Sequence, residues 1–328
     1  MSFEDFIAQA NNYGKSHRSF FFLIDFEQQK PLIFPLEEVA KKGIFFDIKG
    51  KDNVNFGFNA VLPDFYLSKN PMSLTDYAKG FKIVKDELQK GNSYLLNLTY
   101  PTSIECNYSL EQIFYHTSAK YKLLFDKHFV CFSPEAFIKI EKNKIFTYPM
   151  KGTIDANLPN AESILLNSQK EQREHYTIVD LMRNDLAIVA KNIEVTRFRY
   201  IEKIMTEKGA ILQTSSEICG DLAENWQLQV GSILAKLLPA GSISGAPKQK
   251  TVEIIYQAEQ QKRGYYTGIF GIFDGDSVES AVAIRFIEQK EQQFYFRSGG
   301  GITIQSELLD EYQELIQKVY VPLKSGDE

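Results

Sequence analysis

Cysteine is scarce: Cys106, Cys131 and Cys219 are the only three in 328 residues, far apart and without a C-x-x-C pair. Such a set builds neither a disulfide framework nor a zinc site, and it suits a reducing compartment. The four histidines, His17, His116, His128 and His175, form no H-E-x-x-H or other metal-ligand pair, which argues against zinc hydrolysis. No apolar run reaches the roughly 18 residues that a membrane span needs. The opening M-S-F-E-D-F-I-A-Q-A-N-N places acids before any base and lacks the apolar core of a signal peptide. A cytoplasmic protein with no membrane partner is the expectation. Basic runs are missing too: 37 Lys and Arg stand against 42 Asp and Glu, a net charge of −5, which argues against nucleic acid as a partner.

What remains is globular in character. With 44% hydrophobic and 24% charged residues the chain can bury a sizeable core and should not be disordered. Its 25 Phe and 17 Tyr favour β-structure. Strands are predicted at Phe20 to Phe26, Gly43 to Ile48, Phe56 to Phe58, Tyr94 to Tyr100 and Phe129 to Phe132. A helix should follow Pro71, capped by Ser73 or Thr75 and ended by Gly91, with Tyr77, Phe81, Val84 and Leu88 on one face. Positions 160–191 read as one long helical stretch, and 247–263 as a second helix. A meander follows, from Gly268 to Phe273, through an Asp274-Gly275-Asp276 turn, to Val278–Glu288 and Gln293–Arg297. The last helix, Glu307 to Tyr320, sets Leu308, Tyr312, Leu315, Ile316 and Val319 on one side. Helices punctuate strand groups without regular alternation, so the fold class is α+β.

Several groupings could carry chemistry. Leu238-Pro-Ala-Gly-Ser-Ile-Ser-Gly-Ala-Pro-Lys248 runs into a helix and offers bare backbone, two hydroxyls and unpaired N–H groups. An ordinary loop with a helix cap has the same features, and the Walker spacing is absent. Gly299, Gly300 and Gly301 follow Phe296-Arg-Ser298, either for close approach to a ligand or as a flexible turn. Arg285 interrupts the apolar run Ala281–Ile287, where alternation puts it on one strand face with Ala281 and Ala283. Its fork suits a carboxylate ligand, and equally a structural ion pair. Glu171 and Glu174, and Glu307, Asp310, Glu311 and Glu314, share helix faces; solvated charge explains them as simply as a hard-cation site does. Glu135 in Ser133-Pro-Glu135 and Lys151 in Tyr148-Pro-Met-Lys151 each follow a strand-like run. A lysine is nucleophilic only when neutral, and an isolated one is ordinarily a surface residue.

Taken in order, S-P-E-x-F, P-x-K-G-T, E-H-x-x-I-V-D-L-x-R-N-D-L, P-A-G-S-I-S-G-A-P-K, R-G-x-Y-x-G, A-I-R, G-G-G-I and E-Y-x-E resemble the motif series of chorismate-utilising enzymes, over residues 72–322. That family includes anthranilate, aminodeoxychorismate, isochorismate and salicylate synthases. The resemblance implies one large domain of two orthogonally packed antiparallel β-sheets flanked by helices, with residues 1–71 as a strand-rich segment packed on it. Lys151 looks like the lysine of aminodeoxychorismate synthases, where anthranilate synthases have alanine. Leu95 stands where water-adding members carry a lysine, and Gln213-Thr-Ser-Ser216 where many relatives have His-Leu-Val-Ser.

The implied reaction replaces the C4 hydroxyl of chorismate with ammonia, giving 4-amino-4-deoxychorismate for p-aminobenzoate and folate synthesis. By resemblance Lys151 is the nucleophile and Glu135 the general acid, with Mg²⁺ on Glu174 and Glu314. Tyr266, Arg285 and the backbone of Gly299, Gly300 and Gly301 would hold a carboxylate, with Gly152, Thr153 and Ser242 beside them. The chain has no G-x-C-x-G followed by His-x-Glu, so ammonia is expected from a separate glutamine amidotransferase subunit. Anthranilate synthesis is the enzymatic alternative, and a non-catalytic chorismate-binding partner the other.

Overall fold

A computed structural model describes residues 1–58, 63–206 and 209–324. Two nine-stranded antiparallel sheets form its frame. The first runs Met150–Asp155, Gly209–Asp221, Lys144–Thr147, Ala136–Glu141, Val278–Val282, Ile269–Phe273, Phe20–Ile24 and Leu32–Pro35, with Lys191–Thr206 on Gly209–Asp221. The second runs Gly245–Ala246, Leu95–Cys106, Gln293–Ile302, Phe286–Lys290, Phe129–Ser133, Tyr121–Phe125, Ile44–Ile48 and Lys51–Asp52, with Leu67–Asn70 on Leu95–Cys106. Residues 1–58 therefore supply strands to both sheets.

The strand Phe20–Ile24 shows why the layers stack. Period-2 alternation sends Phe20, Phe22 and Ile24 into a core covered by helices, and Phe21 and Leu23 into a second core. That second core also holds Ile44, Phe46, Leu123 and Phe286 from the other sheet, and Phe21 stacks on Phe46 at 5.4 Å. All five strand residues are buried, because both faces are covered. The α+β class and the two helix-flanked antiparallel sheets agree with the expectation. Among the described residues, no helix is long and apolar enough to cross a membrane.

The helix Leu74–Gln89 follows its spacing: Ser73 caps it by accepting the Asp76 amide at 3.1 Å, and Tyr77, Phe81, Val84 and Leu88 are buried. Elsewhere the structure corrects the sequence reading. The 160–191 stretch is two helices, Ala161–Asn167 and Gln169–Ala187, broken at the extended Ser168, whose hydroxyl caps the second. Residues 56–58 form no strand; Phe56 instead meets Phe45 edge-on at 5.0 Å. The chain opens with an unforeseen helix, Phe3–Lys15, started by a Ser2–Asp5 capping box. The run 278–288 is two strands in different sheets, Val278–Val282 and Phe286–Lys290. Arg285 is in neither: its φ of 52° places it in the left-handed region at the crossing. The triple glycine is no turn. It lies inside Gln293–Ile302, with Gly299, Gly300 and Gly301 opposite Thr99, Leu98 and Asn97.

Candidate active site

The chain crosses between the sheets at two neighbouring places. After Phe129–Ser133 it passes through Pro134 and Glu135 into Ala136–Glu141, and after Val278–Val282 it returns through Arg285 into Phe286–Lys290. The crossings are laced together: the Val282 amide donates to the Glu135 carbonyl at 3.2 Å, and the Phe132 amide to the Arg285 carbonyl at 3.1 Å. Beside them opens a cleft of about 180 Å³, whose walls include Glu135, Lys151, Ser242, Glu314 and Lys318.

The Ser242 hydroxyl donates to a Glu135 carboxylate oxygen. Burial raises the pKa of Glu135, against the opposing pull of that hydrogen bond and of the Lys318 charge. A carboxyl held up in this way keeps its proton to higher pH than an ordinary one and can serve as a proton donor. Ser242 sits on the short helix Gly241–Ser244, which is fastened from behind. Lys248 bridges the Asp185 carboxylate at 3.0 Å and the Leu237 carbonyl at 2.8 Å. A Cβ on Gly241 would lie 2.5 Å from Asp185, so only glycine allows that approach.

Lys151, on Met150–Asp155, forms a 2.9 Å ion pair with Glu174 on the helix Gln169–Ala187. Burial alone would lower its pKa, but Glu174, with the charges of Glu314 and Glu171, outweighs burial and raises it. The free amine is thus disfavoured while Glu174 remains its partner. Next to Glu174, the fully buried His175 meets the Ser216 hydroxyl at 2.7 Å. Burial and the Arg199 charge keep it neutral, with a pKa lowered to about 4.

Across the cleft Lys318 pairs with Glu314 and donates to the Gly299 carbonyl at 2.8 Å. Burial lowers the pKa of Lys318 despite Glu314, with Arg285 and Lys151 adding to the effect. For Glu314 burial works upward, yet Lys318 and Lys151 carry its pKa below the ordinary value. Lys318 and Asn97, another wall residue, escaped the sequence reading. The signal for Lys318 was its place one turn after Glu314, on the same helix face.

Gly301 also lines the cleft, and the remaining predicted residues stand around this wall rather than on it. Gly152 has a φ of 83°, and a Cβ there would lie 2.7 Å from Glu171. A Cβ on Gly300 would lie 2.8 Å from Glu314, so both glycines let carboxylate-bearing helices close on the sheets. Thr153 pairs with Gln213 on Gly209–Asp221. Arg285 donates to the Lys318 carbonyl at 3.4 Å and lies 4.8 Å from the Tyr320 ring centre. Tyr266 is buried beneath Arg297, and burial pushes its pKa up to about 12.

A hard cation was expected on Glu174 and Glu314. Among the described residues no three Asp, Glu, His or Cys side chains gather closely enough to hold a metal unaided. The donors nearby are nonetheless all carboxylates, and Glu311 is held above its ordinary pKa by burial, with the Glu314 charge adding to it. Two protein carboxylates completed by substrate oxygens and water is how Mg²⁺ is commonly bound, so the donor chemistry fits.

Two lysine–carboxylate pairs and a buried carboxyl of raised pKa thus stand together beside the crossings between two antiparallel sheets, a set of charges able to receive a small anionic ligand. Residues 64–324 match the chorismate binding enzyme family, and the chain belongs to it. It is 67% identical over 323 residues to an uncharacterised PabA-like protein of Pasteurella multocida, covering 98% of this chain and 100% of that one. An uncharacterised PabA-like protein of Haemophilus influenzae is 64% identical over 324 residues, covering 99% and 98%. The 2,3-dihydroxybenzoate-specific isochorismate synthase DhbC of Bacillus anthracis shares the fold, with a TM-score of 0.69 at 20% identity over 96% of this chain and 86% of that one.

Proposed function

We propose that this enzyme acts on chorismate as an aminodeoxychorismate synthase, exchanging the C4 hydroxyl for ammonia supplied by a separate glutamine amidotransferase. The observation that carries the reading is that Lys151 and Glu135 line one cleft, whose Leu95 wall offers no base to activate water. In the proposed reaction the neutral Lys151 amine adds at C2, the two conjugated ring double bonds shift, and the C4–O bond breaks. Glu135 gives its proton to the departing hydroxyl, which leaves as water. Ammonia then attacks C4, both double bonds shift back, and the C2–N bond to Lys151 breaks. The proton shed by the new ammonium restores Glu135, so chorismate and ammonia yield the amino product and water.

Glu174 and Glu314 would hold Mg²⁺, which when bound would offset the charge of the ring carboxylate and compete with Lys151 for Glu174. Once parted from Glu174, Lys151 is left to burial, which favours its neutral form. Arg285 and Tyr266 would hold the second carboxylate, Arg285 through its planar fork.

Incubation with chorismate, Mg²⁺ and ammonium, followed by mass analysis, tests the reading. The expected product is 4-amino-4-deoxychorismate with no pyruvate. Pyruvate released with anthranilate would identify an anthranilate synthase instead, and unconsumed chorismate a binding protein.

A further inference from the structure

The strand Leu95–Cys106 has an incomplete edge. One edge is paired with Gln293–Ile302 throughout residues 96–104. The other meets Gly245–Ala246 at Leu95 and Leu96, and Leu67–Asn70 at residues 103–106. Among the described residues no strand covers that edge between these points. Residues 97 and 99 of a strand turn their backbone groups to the same edge, and buried backbone groups need partners.

Two charged side chains provide them. The Asn97 carbonyl accepts from Arg263 Nη2 at 2.6 Å, and the Thr99 amide donates to Glu259 Oε1 at 2.9 Å. Glu259 and Arg263 are joined by two contacts, Nη2 to Oε1 at 2.5 Å and Nε to Oε2 at 3.0 Å, and are 4% and 2% exposed. Arg263 Nη1 donates onward to the Ile243 carbonyl at 3.1 Å. Ile243 lies between Ser242 and Ser244, both on the cleft wall, as is Asn97.

We propose that Arg263, paired with Glu259, is a positioning residue that takes the place of a missing strand behind the cleft and so holds Ser242 against Glu135. A buried ion pair contributes little net stability as such. Its use here is geometric: one planar fork ties the sheet edge, the helix Lys248–Glu259 and the Ser242 loop into a single body. The link to turnover rests on Glu135 being the general acid proposed above; the wall's rigidity does not.

Amide hydrogen exchange tests the rigidity without reference to activity. In the wild-type chain the Thr99 and Ser242–Gly245 amides should exchange as slowly as those of Phe20–Ile24. Arg263→Lys keeps a charge for Glu259 but loses the fork, so exchange at Ser242–Gly245 should quicken about tenfold or more, with Phe20–Ile24 unchanged. Its kcat should fall by a similar factor with KM nearly constant. The alkaline limb of its pH–rate profile should move upward, because Glu135 loses the hydrogen bond that holds its pKa down. Fast exchange of Thr99 in the wild type, unaltered exchange at Ser242–Gly245 in the variant, or a variant that fails to fold would each overturn the proposal. Should the wild type make no aminodeoxychorismate, the exchange result still decides the positioning role, and only the reading of Glu135 fails.

Discussion

Lys151 and Glu174 hold each other at 2.9 Å, and across the same cleft Lys318 and Glu314 are paired. Each pair joins a cation with a carboxylate while the cleft awaits an anionic substrate. Removing one member leaves its partner uncompensated in partly buried surroundings, so conservative substitutions inform more than truncations.

For Lys151 the informative change is Lys151→Arg. Guanidinium remains protonated and has no lone pair to offer, so formation of 4-amino-4-deoxychorismate should collapse towards background, as with Lys151→Ala. Intact-protein mass spectra of wild type mixed with chorismate alone should show the covalent adduct. Near-normal turnover by Lys151→Arg would end the covalent route and leave direct ammonia attack at C4.

Glu135 leads to a prediction with opposite effects on rate and stability. Its pKa is raised above the ordinary 4.5 by burial, so the stability it allows is fully present below that value and is lost as pH rises through the raised one. Glu135→Gln removes the buried charge and should raise Tm at neutral pH but not at acid pH. The same variant should lose about 100- to 10,000-fold in kcat, the range for a missing general acid. A Tm gain that persists unchanged at low pH would show that Glu135 is not a buried charge in the native state.

Much of the frame was legible in the residues and much of the site's placement was not. The Ser73 cap and the spacing of Tyr77, Phe81, Val84 and Leu88 are local signals, and the helix follows them. The Ser2–Asp5 box, with Phe3, Phe6, Ile7 and Ala10, carried a comparable signal for the helix Phe3–Lys15. Arg285 illustrates the limit. Ala281–Ile287 alternates like one strand, yet the chain changes sheets within it, since partners distant in sequence decide where each half pairs. Gly299 to Gly301 look like a loose turn until Leu95–Cys106 lies alongside and Glu314 closes over Gly300. Motif order could name Glu135, Lys151 and Ser242 together, but only the fold puts Lys318 beside them.

Glu314 can be separated from Lys318 by Mg²⁺ titration. Glu314→Gln removes a carboxylate from the proposed cation site and frees the Lys318 ammonium, so the Mg²⁺ concentration for half-maximal activity should rise and maximal activity should fall. Circular dichroism should be unchanged, because the side chain is half-exposed. An unaltered Mg²⁺ titration would remove Glu314 from the cation site.

Arg285 offers a test in which function and stability part company. A non-glycine residue at a φ of 52° carries backbone strain, in the range of about 1–2 kcal/mol. The native contacts of this guanidinium are modest: one 3.4 Å hydrogen bond to the Lys318 carbonyl and a stack on Tyr320. Arg285→Gly should therefore keep Tm close to wild type, the backbone relief offsetting the lost contacts. If the fork binds a substrate carboxylate, the same variant loses a charged hydrogen bond of about 1.5–3 kcal/mol, and KM for chorismate should rise about 10- to 150-fold. Arg285→Lys keeps the charge but not the bidentate geometry and should fall between the two. A purely structural arginine gives the reverse pattern, a lower Tm for Arg285→Gly with KM unmoved, and that result would take Arg285 out of the substrate site.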